Sequence, residues 1–398
     1  MSGNLHICID CGGSKTSAVV STVSREGESV VVARGVAGPS NYKDNGVHTF
    51  LNAIRTATQS ALSKALGNSI ELPAIDEIIN KENEANLRSQ EKSHLFSAWI
   101  GASGVDAAQD ISTLEPLLSR LLGVPLESQR LVVANDSFIL CSPLLSCAEP
   151  IENAIVAIAG TGSVVVSFQR NKKSLESSSS SIVQLARAGG WGYLLGDDGS
   201  GFFAGREAIR EVLREFNLEE LEDHPSVSSS VEYEKKKETL RSLLLDHFKL
   251  DSPDELFSVV YAPDIAPTIS RGDGSNKTPE WARVDRKQRF VSLAPLVFHA
   301  AFTLKDSTAL RALRTSLGGL AAQISSLCVG QDGSRSRVGK KVTTSTTVLC
   351  LGGSLFGVED YRKLLLEELQ LLGYSFPHVV FVSDAAQEGA LGLAKLFG

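Results

Sequence analysis

The segment Asp10-Cys11-Gly12-Gly13-Ser14-Lys15-Thr16 brings together a carboxylate, paired glycines, two hydroxyls and a cation. Glycines let backbone N–H groups converge on an anion without side-chain obstruction, and Ser14 and Thr16 add hydroxyl donors. Lys15 can neutralise phosphate charge. A carboxylate beside such a cradle suits the water-mediated positioning of nucleotide-bound magnesium. A tight hairpin that uses glycine only for its geometry accounts for this stretch equally well when it is taken alone. The same chemistry recurs at Gly160-Thr161-Gly162-Ser163, and two such turns on facing lobes can hold a phosphate chain from both sides. Neither is a Walker A loop, because neither has the four-residue spacer before Gly-Lys-Ser/Thr. Gly339-Lys340 fails the same test, being followed by Lys341.

Val132-Val133-Ala134-Asn135-Asp136-Ser137 ends an apolar run on polar residues. A hydroxyl is a poor nucleophile, so an aspartate within hydrogen-bonding reach can take its proton during phosphoryl transfer. Asn-Asp-Ser is also good helix-cap chemistry, which makes an N-cap role for Asp136 the competing reading. A third dense stretch is Gly189-Gly190-Trp191-Gly192-Tyr193-Leu194-Leu195-Gly196-Asp197-Asp198-Gly199-Ser200. Its glycines permit unusual dihedrals, and a polar loop of this kind commonly lines a site. Asp197 is assigned to the site and Asp198 to capping the next helix, with the reverse order left open.

The elements that must position these residues follow from periodicity. Leu5, Ile7 and Ile9 alternate with His6, Cys8 and Asp10, and Ser17 to Val23 resumes an extended run, so Asp10 lies at the mouth of a strand–turn–strand unit. Further strands are expected at Val30–Ala33, Leu95–Ile100, Leu131–Ala134, Ala154–Ala159, Ser163–Phe168, Thr347–Leu351 and Val379–Val382. Helical spacing covers His48–Leu66, 111–122, 201–215, 231–248, 254–261, 281–303, 305–328, 358–372 and 385–396. The strand–turn–strand unit thus occurs twice, about 150 residues apart, which favours two related lobes. Polar stretches at 171–181, 221–238, 271–279 and 330–341 read as exposed chain.

The chain has 398 residues and a formal charge of -7, which argues against a nucleic-acid binder. No apolar run approaches the length of a membrane span, and the N-terminus lacks the pattern of a signal peptide. The six scattered cysteines, several in apolar segments, fit buried thiols in a reducing compartment, so a cytoplasmic location is expected. Cys8 and Cys11 form a Cys-x-x-Cys pair, but no second pair or clear histidine partner supports a metal site.

Together these motifs, in this order along nearly the whole chain, resemble the eukaryotic N-acetylglucosamine kinases of the BadF/BadG-type ATPase group, within the sugar kinase, hsp70 and actin superfamily. The most specific match is Gly189-Gly190-Trp191-Gly192 followed by Gly196-Asp197-Asp198-Gly199-Ser200, where that family often has Glu in place of Asp198. Thr is commoner there than Ser14. The resemblance implies an α/β, two-lobed actin-like ATPase fold with ribonuclease H-like lobes and an interdomain active-site cleft. It implies an N-terminal lobe of residues 1–145 completed by a terminal helix at 385–398, and a larger lobe at 146–384. It makes Asp136 the catalytic base and Asp10 the residue that orders magnesium-bound water. ATP would be held by Gly12, Gly13, Ser14, Lys15, Thr16, Gly160, Thr161 and Gly162, with Gly352, Gly353 and Ser354 at the adenosine. The sugar would meet Asn41, Gly104, Val105, Asp106, Asn135, Trp191, Gly192 and Asp197.

The activity so implied is ATP-dependent phosphorylation of N-acetyl-D-glucosamine on its 6-hydroxyl, with ATP and Mg2+ as cofactors. The expected partners are the sugar and ATP, with neither nucleic acid nor membrane, and a homodimer is allowed for. Glucose or another hexose is the nearest rival substrate, since an acetamido group is told from a hydroxyl by one or two contacts. Outside that class stand an electron-transfer ATPase activator, which would need a cysteine-held iron–sulfur cluster, and a non-catalytic ATP-binding clamp.

Overall fold

The computed structural model describes residues 3–80, 94–105, 107–148, 150–171, 182–221, 238–264, 280–330 and 339–398. The N-terminal sheet contains β1 (His6–Cys11), β2 (Thr16–Val23), β3 (Ser29–Ala37), β4 (Ser97–Ala102) and β5 (Leu131–Asn135), in the order β3-β2-β1-β4-β5. Its helices are α1 (Tyr42–Leu66), α2 (Ile75–Asn80), α3 (Ala108–Leu122), α4 (Asp136–Ile139) and α5 (Pro143–Ser146). The second sheet contains β6 (Asn153–Ala159), β7 (Ser163–Arg170), β8 (Ile182–Gly189), β9 (Thr347–Gly352) and β10 (His378–Phe381), in the order β10-β9-β6-β7-β8. With it go α6 (Gly201–Leu221), α7 (Leu240–Phe248), α8 (Leu256–Tyr261), α9 (Arg286–Val291), α10 (Ala294–Phe298), α11 (Ser307–Ser326) and α12 (Glu359–Leu371). The last helix is α13 (Ala385–Phe397).

The two sheets repeat one plan. β1 pairs antiparallel with β2 and parallel with β4, while β6 pairs antiparallel with β7 and parallel with β9. The duplicated strand–turn–strand unit is therefore the centre of each lobe. β1, β4 and β6 are almost wholly buried, as near-continuous apolar strands covered on both faces must be. One core packs α1 and α3 on the first sheet, through Ile7, Ile9, Phe50, Ile54 and Leu118. A second packs α6 and α11 on the second sheet, through Ile155, Val212, Leu317 and Leu351.

A third apolar cluster joins the two sheets. It draws Cys8, Val19 and Trp99 from the first, Val156, Phe168 and Cys350 from the second, Ile139 and Leu144 from α4 and α5, and Ala386, Ala390 and Leu393 from α13. Helix α13 thus lies back on β1 and β2. Ser21 donates to the Ala390 carbonyl at 2.6 Å, Lys395 donates to Ser146 at 2.7 Å, and Arg34 on β3 pairs with Asp384, the cap of α13. Gly389 is required there, because a Cβ would sit 2.4 Å from Cys8 Sγ.

The reading from periodicity is corrected in two places. The single helix expected over 281–303 is broken into the turn Glu280–Arg283, α9, α10 and a π turn at His299–Thr303; Pro295 opens α10, where its missing N–H costs nothing. Strand β8 had no expected counterpart: much of it is exposed or half-buried, which blurs its alternation. Of the helix expected over 231–248, α7 is present behind its Thr239 cap, and 231–237 lies outside the described residues. The polar stretches at 172–181, 222–237, 271–279 and 331–338 also lie outside them.

Candidate active site

The parallel register sets the first half of the site. Asp10 on β1 is level with Gly101 on β4, and Gly101 with Ala134 on β5. Asp10 and Asp136 therefore stand at the same end of two parallel strands separated by one, the edge where ligands bind in open α/β sheets. Gly101 makes this approach possible: a Cβ there would lie 2.2 Å from Ile139 Cδ1 and 3.2 Å from Asp136 Cα, so α4 could not fold back over β4. Burial pushes the Asp10 carboxyl up to about 6, the charges of Asp136 and Asp384 add to the rise, and Lys15 opposes it.

The cap of α4 is Asn135. Its Oδ1 accepts from Ser137 N at 3.0 Å and Ser137 Oγ at 2.7 Å, and its Nδ2 donates to the Val105 carbonyl at 3.4 Å. Asp136 is the first helical residue, so the capping role held open for it belongs to its neighbour. Asn135 also ties β5 to the loop carrying Gly104 and Val105. Asn41 completes that corner: it caps α1 through Oδ1, accepting from Lys43 N and Asp44 N, and its Nδ2 faces Ser103 Oγ at 3.5 Å. A Cβ on Gly104, which has φ of +83°, would strike Asn41 Oδ1 at 2.5 Å. Asp106 lies outside the described residues.

At the first glycine turn, Gly12 N donates to the Lys15 carbonyl, and Gly13, Ser14 and Lys15 are exposed at its tip. A Cβ on Gly13 would meet nothing within 4 Å. Thr16 differs from its expected part: its buried hydroxyl hydrogen-bonds the Gly38 carbonyl at 2.7 Å and Ser40 Oγ at 2.6 Å, bracing the segment that leads to Asn41.

The second lobe offers the matching edge. Ile158 is level with Gly352, so the Gly160-Thr161-Gly162 turn follows β6 beside Gly353 and Ser354; a Cβ on Gly160 would meet Ser354 Oγ at 3.7 Å. Gly353, with φ of +94°, passes so close to Ala159 that a Cβ would lie 2.4 Å from its carbonyl oxygen. A Cβ on Gly352 would lie 2.8 Å from Leu140, just past α4, so the Asp136 segment abuts the turn after β9 in the other lobe.

Asp197 is buried against the second turn, 2.8 Å from where a Gly162 Cβ would stand. Burial pushes this carboxyl up, against the opposing pull of the backbone N–H groups of Ser163 and Gly192 and of the Lys287 charge. Asp198 turns the other way, accepting from Gln323 on α11 at 2.8 Å. The cap expected of Asp198 is supplied by Ser200, whose Oγ accepts from Phe203 N at 3.3 Å. Trp191 is exposed and stacked with Arg187, whose guanidinium also donates to the Gly189 and Gly190 carbonyls. Sequence reasoning missed Asp384, Arg187 and Lys287. Asp384 does carry the signal used for Asp10 and Asp136, a carboxylate at the end of an apolar strand and ahead of a helix.

Twin sheets of one strand order, each presenting a glycine turn at the carboxyl edge of its central strand, define the two-lobed actin-like ATPase fold. A solved structure from Chromobacterium violaceum, provisionally named an N-acetylglucosamine kinase, shares this fold with a TM-score of 0.51 at 20% identity, over 98% of this chain and 99% of its own. Among curated proteins, the chain is similar to the N-acetyl-D-glucosamine kinase of Dictyostelium discoideum, 28% identical over 301 residues, which are 76% of this chain and 72% of that one. It is likewise 28% identical over 255 residues to the N-acetylmuramic acid/N-acetylglucosamine kinase of Clostridium acetobutylicum, 64% of this chain and 63% of that one. No protein-family model matches the chain. The resemblance read from the motifs is thus met by relatives in sequence and by the fold.

Proposed function

We propose that this protein is an ATP-dependent kinase that phosphorylates N-acetyl-D-glucosamine to N-acetyl-D-glucosamine 6-phosphate. The observation that carries the reading is the placement of Asp136: it stands at the strand-end edge beside Asp10, with helix capping delegated to Asn135. Its carboxylate takes the proton of the 6-hydroxyl as the new O–P bond forms and the bond from the γ-phosphorus to ADP breaks. Gly12, Gly13, Ser14 and Lys15 hold phosphates from one side, and Gly160, Thr161 and Gly162 from the other. Gly352, Gly353 and Ser354 lie at the adenosine. Asn41, Gly104, Val105, Asn135, Trp191, Gly192 and Asp197 line the sugar side, with Asp106 assigned there by resemblance.

The residues present fit a magnesium ion. Burial and the charge of Asp136 press on Asp10, Asp384 adds to them while paired with Arg34, and Lys15 opposes, so a divalent cation at Asp10 would relieve unfavourable negative charge. Asp10 would hold that ion through water, and bound magnesium supplies neutralisation of the phosphate charge.

The reading extends to a cytoplasmic location, leaves room for a homodimer, and sets lobe boundaries at 1–145 plus 385–398 and at 146–384. Its six cysteines are free, and among the described residues no helix is long and apolar enough to cross a membrane. An ADP-release assay with N-acetylglucosamine, glucose, N-acetylmannosamine, N-acetylmuramic acid and buffer tests the reaction. N-acetylglucosamine should give the highest kcat/KM. Folded enzyme with no sugar-stimulated turnover overturns the kinase reading, and a preference for another sugar overturns the substrate.

A further inference from the structure

We infer that Arg187 on β8 is a positioning residue for sugar binding: its guanidinium grips the Gly189–Gly190 turn and backs the Trp191 indole, so that the ring meets the sugar in one orientation. The inference deepens the proposed function and rests on it in one respect, that Trp191 lies on the sugar side.

Register places the guanidinium. β8 is the edge strand of the second sheet, and Arg187 stands opposite Val166 on β7. Directly opposed residues share one face of a sheet. Val166 belongs to the cluster that joins the two sheets, so Arg187 leaves β8 on the face that meets the first lobe, at its exposed rim. The chain then turns at Gly189 and Gly190, with φ of +68° and +70°, which only glycine adopts readily. Arg187 Nε donates to the Gly189 carbonyl at 3.3 Å, and Nη2 donates to the Gly190 carbonyl at 2.5 Å. One planar fork thus serves two successive carbonyls, a geometry that a lysine ammonium does not reproduce. The same guanidinium lies 5.5 Å from the centre of the Trp191 ring.

The surrounding contacts hold the turn to this shape. A Cβ on Gly190 would lie 2.4 Å from Arg187 Nη2 and 2.8 Å from Val164, and one on Gly189 would lie 2.2 Å from Gln323 Oε1. Gln323 also donates to Asp198 at the far end of the loop, and Gly190 N donates to the Gly196 carbonyl at 3.2 Å. A Cβ on Gly196 would lie 3.2 Å from Trp191 Cδ1, so the indole is edged by Gly196 and backed by Arg187. Trp191 is nevertheless 69% exposed. An open aromatic face suits the C–H face of a pyranose, and fixing it beforehand spares the ordering cost at the moment of binding.

The test compares Arg187→Met, Arg187→Lys, Trp191→Ala and the Arg187→Met/Trp191→Ala pair with wild type. The probe is N-acetylglucosamine, or whichever sugar of the panel above gives the highest kcat/KM. Calorimetry reads sugar affinity, the ADP assay reads KM for sugar and for ATP, and hydrogen exchange is followed without sugar in peptides spanning 189–196. Arg187→Met should weaken sugar affinity roughly tenfold or more, the loss expected when a charged hydrogen-bond donor is removed, and leave the KM for ATP near wild type. Arg187→Lys should recover little of that affinity. On the Trp191→Ala background Arg187→Met should add little, because a residue that acts through Trp191 then has nothing left to position. Exchange across 189–196 should quicken in the Met variant. Equal rises in both KM values, full recovery by Arg187→Lys, or additive losses in the pair overturns the inference. The exchange measurement needs no sugar, so wild-type exchange in Arg187→Met overturns the grip on the loop even where the panel above overturns the kinase reading.

Discussion

Replacing Asp136 with Asn separates chemistry from architecture, because the structure fixes what each would contribute. Asparagine fills the same space, and the cap of α4 stays with Asn135, so no capping energy is lost. The charge effect runs in the favourable direction. Asp10 has a folded pKa of about 6 against an ordinary 3.8, so its contribution to stability is greatest below 3.8 and is lost as pH rises to 6. Two units correspond to about 3 kcal/mol forfeited at neutral pH. Burial accounts for the largest share and the Asp136 charge for the next, so neutralising Asp136 should return on the order of 1 kcal/mol. Asp136→Asn should therefore melt at or slightly above the wild-type temperature at pH 7.5, with the gain vanishing near pH 4. Its turnover should fall roughly 10²–10⁴-fold, the range for a lost general base. Calorimetry with N-acetylglucosamine, melting curves at both pH values and the ADP assay report binding, stability and rate separately. Turnover within a few-fold of wild type refutes the general base. A markedly lower melting temperature refutes the account in which Asn135 alone caps α4 and the Asp136 charge weighs against that of Asp10.

Gly13→Ala should fold like wild type, because its Cβ enters open space, yet raise the KM for ATP roughly tenfold or more by crowding a phosphate; an unchanged KM removes Gly13 from the nucleotide cradle. The magnesium concentration for half-maximal activity should climb up to roughly tenfold per pH unit as pH falls below 6, since Asp10 must be deprotonated to serve a metal; a flat titration between pH 5 and 7.5 counts against that role. Asn135→Ala should lower stability by about 1 kcal/mol through the lost cap, and should weaken sugar affinity by releasing the Val105 loop. Denaturant titration and calorimetry check the two effects, and intact stability would deny Asn135 the cap.

What was legible in the sequence was whatever local chemistry writes down. Asp10, the two glycine turns and Asp136 could be read because strand alternation places a carboxylate or a turn at a strand end without knowledge of the partner strand. The duplication was visible for the same reason. The capping assignment was not, since Asn135, Asp136 and Ser137 are all competent caps and the choice depends on Asn135 also reaching Val105 across the sheet. Thr16 was read as a phosphate donor because hydroxyls beside glycines suggest it; only the packed loop at Gly38–Ser40 reveals that its hydroxyl is already engaged. The approach of α9 to this region was out of reach altogether, for it depends on the close contact with α6 that Gly205 permits, and nothing in the neighbourhood of α9 records it.

The return of α13 to the first sheet has a consequence for the chain while it is being made. Cys8 and Val19 are synthesised long before the helix that covers them, which begins only at Ala385. At about 5–20 residues per second, roughly 20–70 s separate the completion of β2 from the arrival of that cover. Through this interval the early half of the protein carries a bare oily face in search of a layer that does not yet exist, an opening for chaperones and for aggregation alike. A ribosome that stalls before Ala385 would release a product whose defect lies in the half that was translated without error.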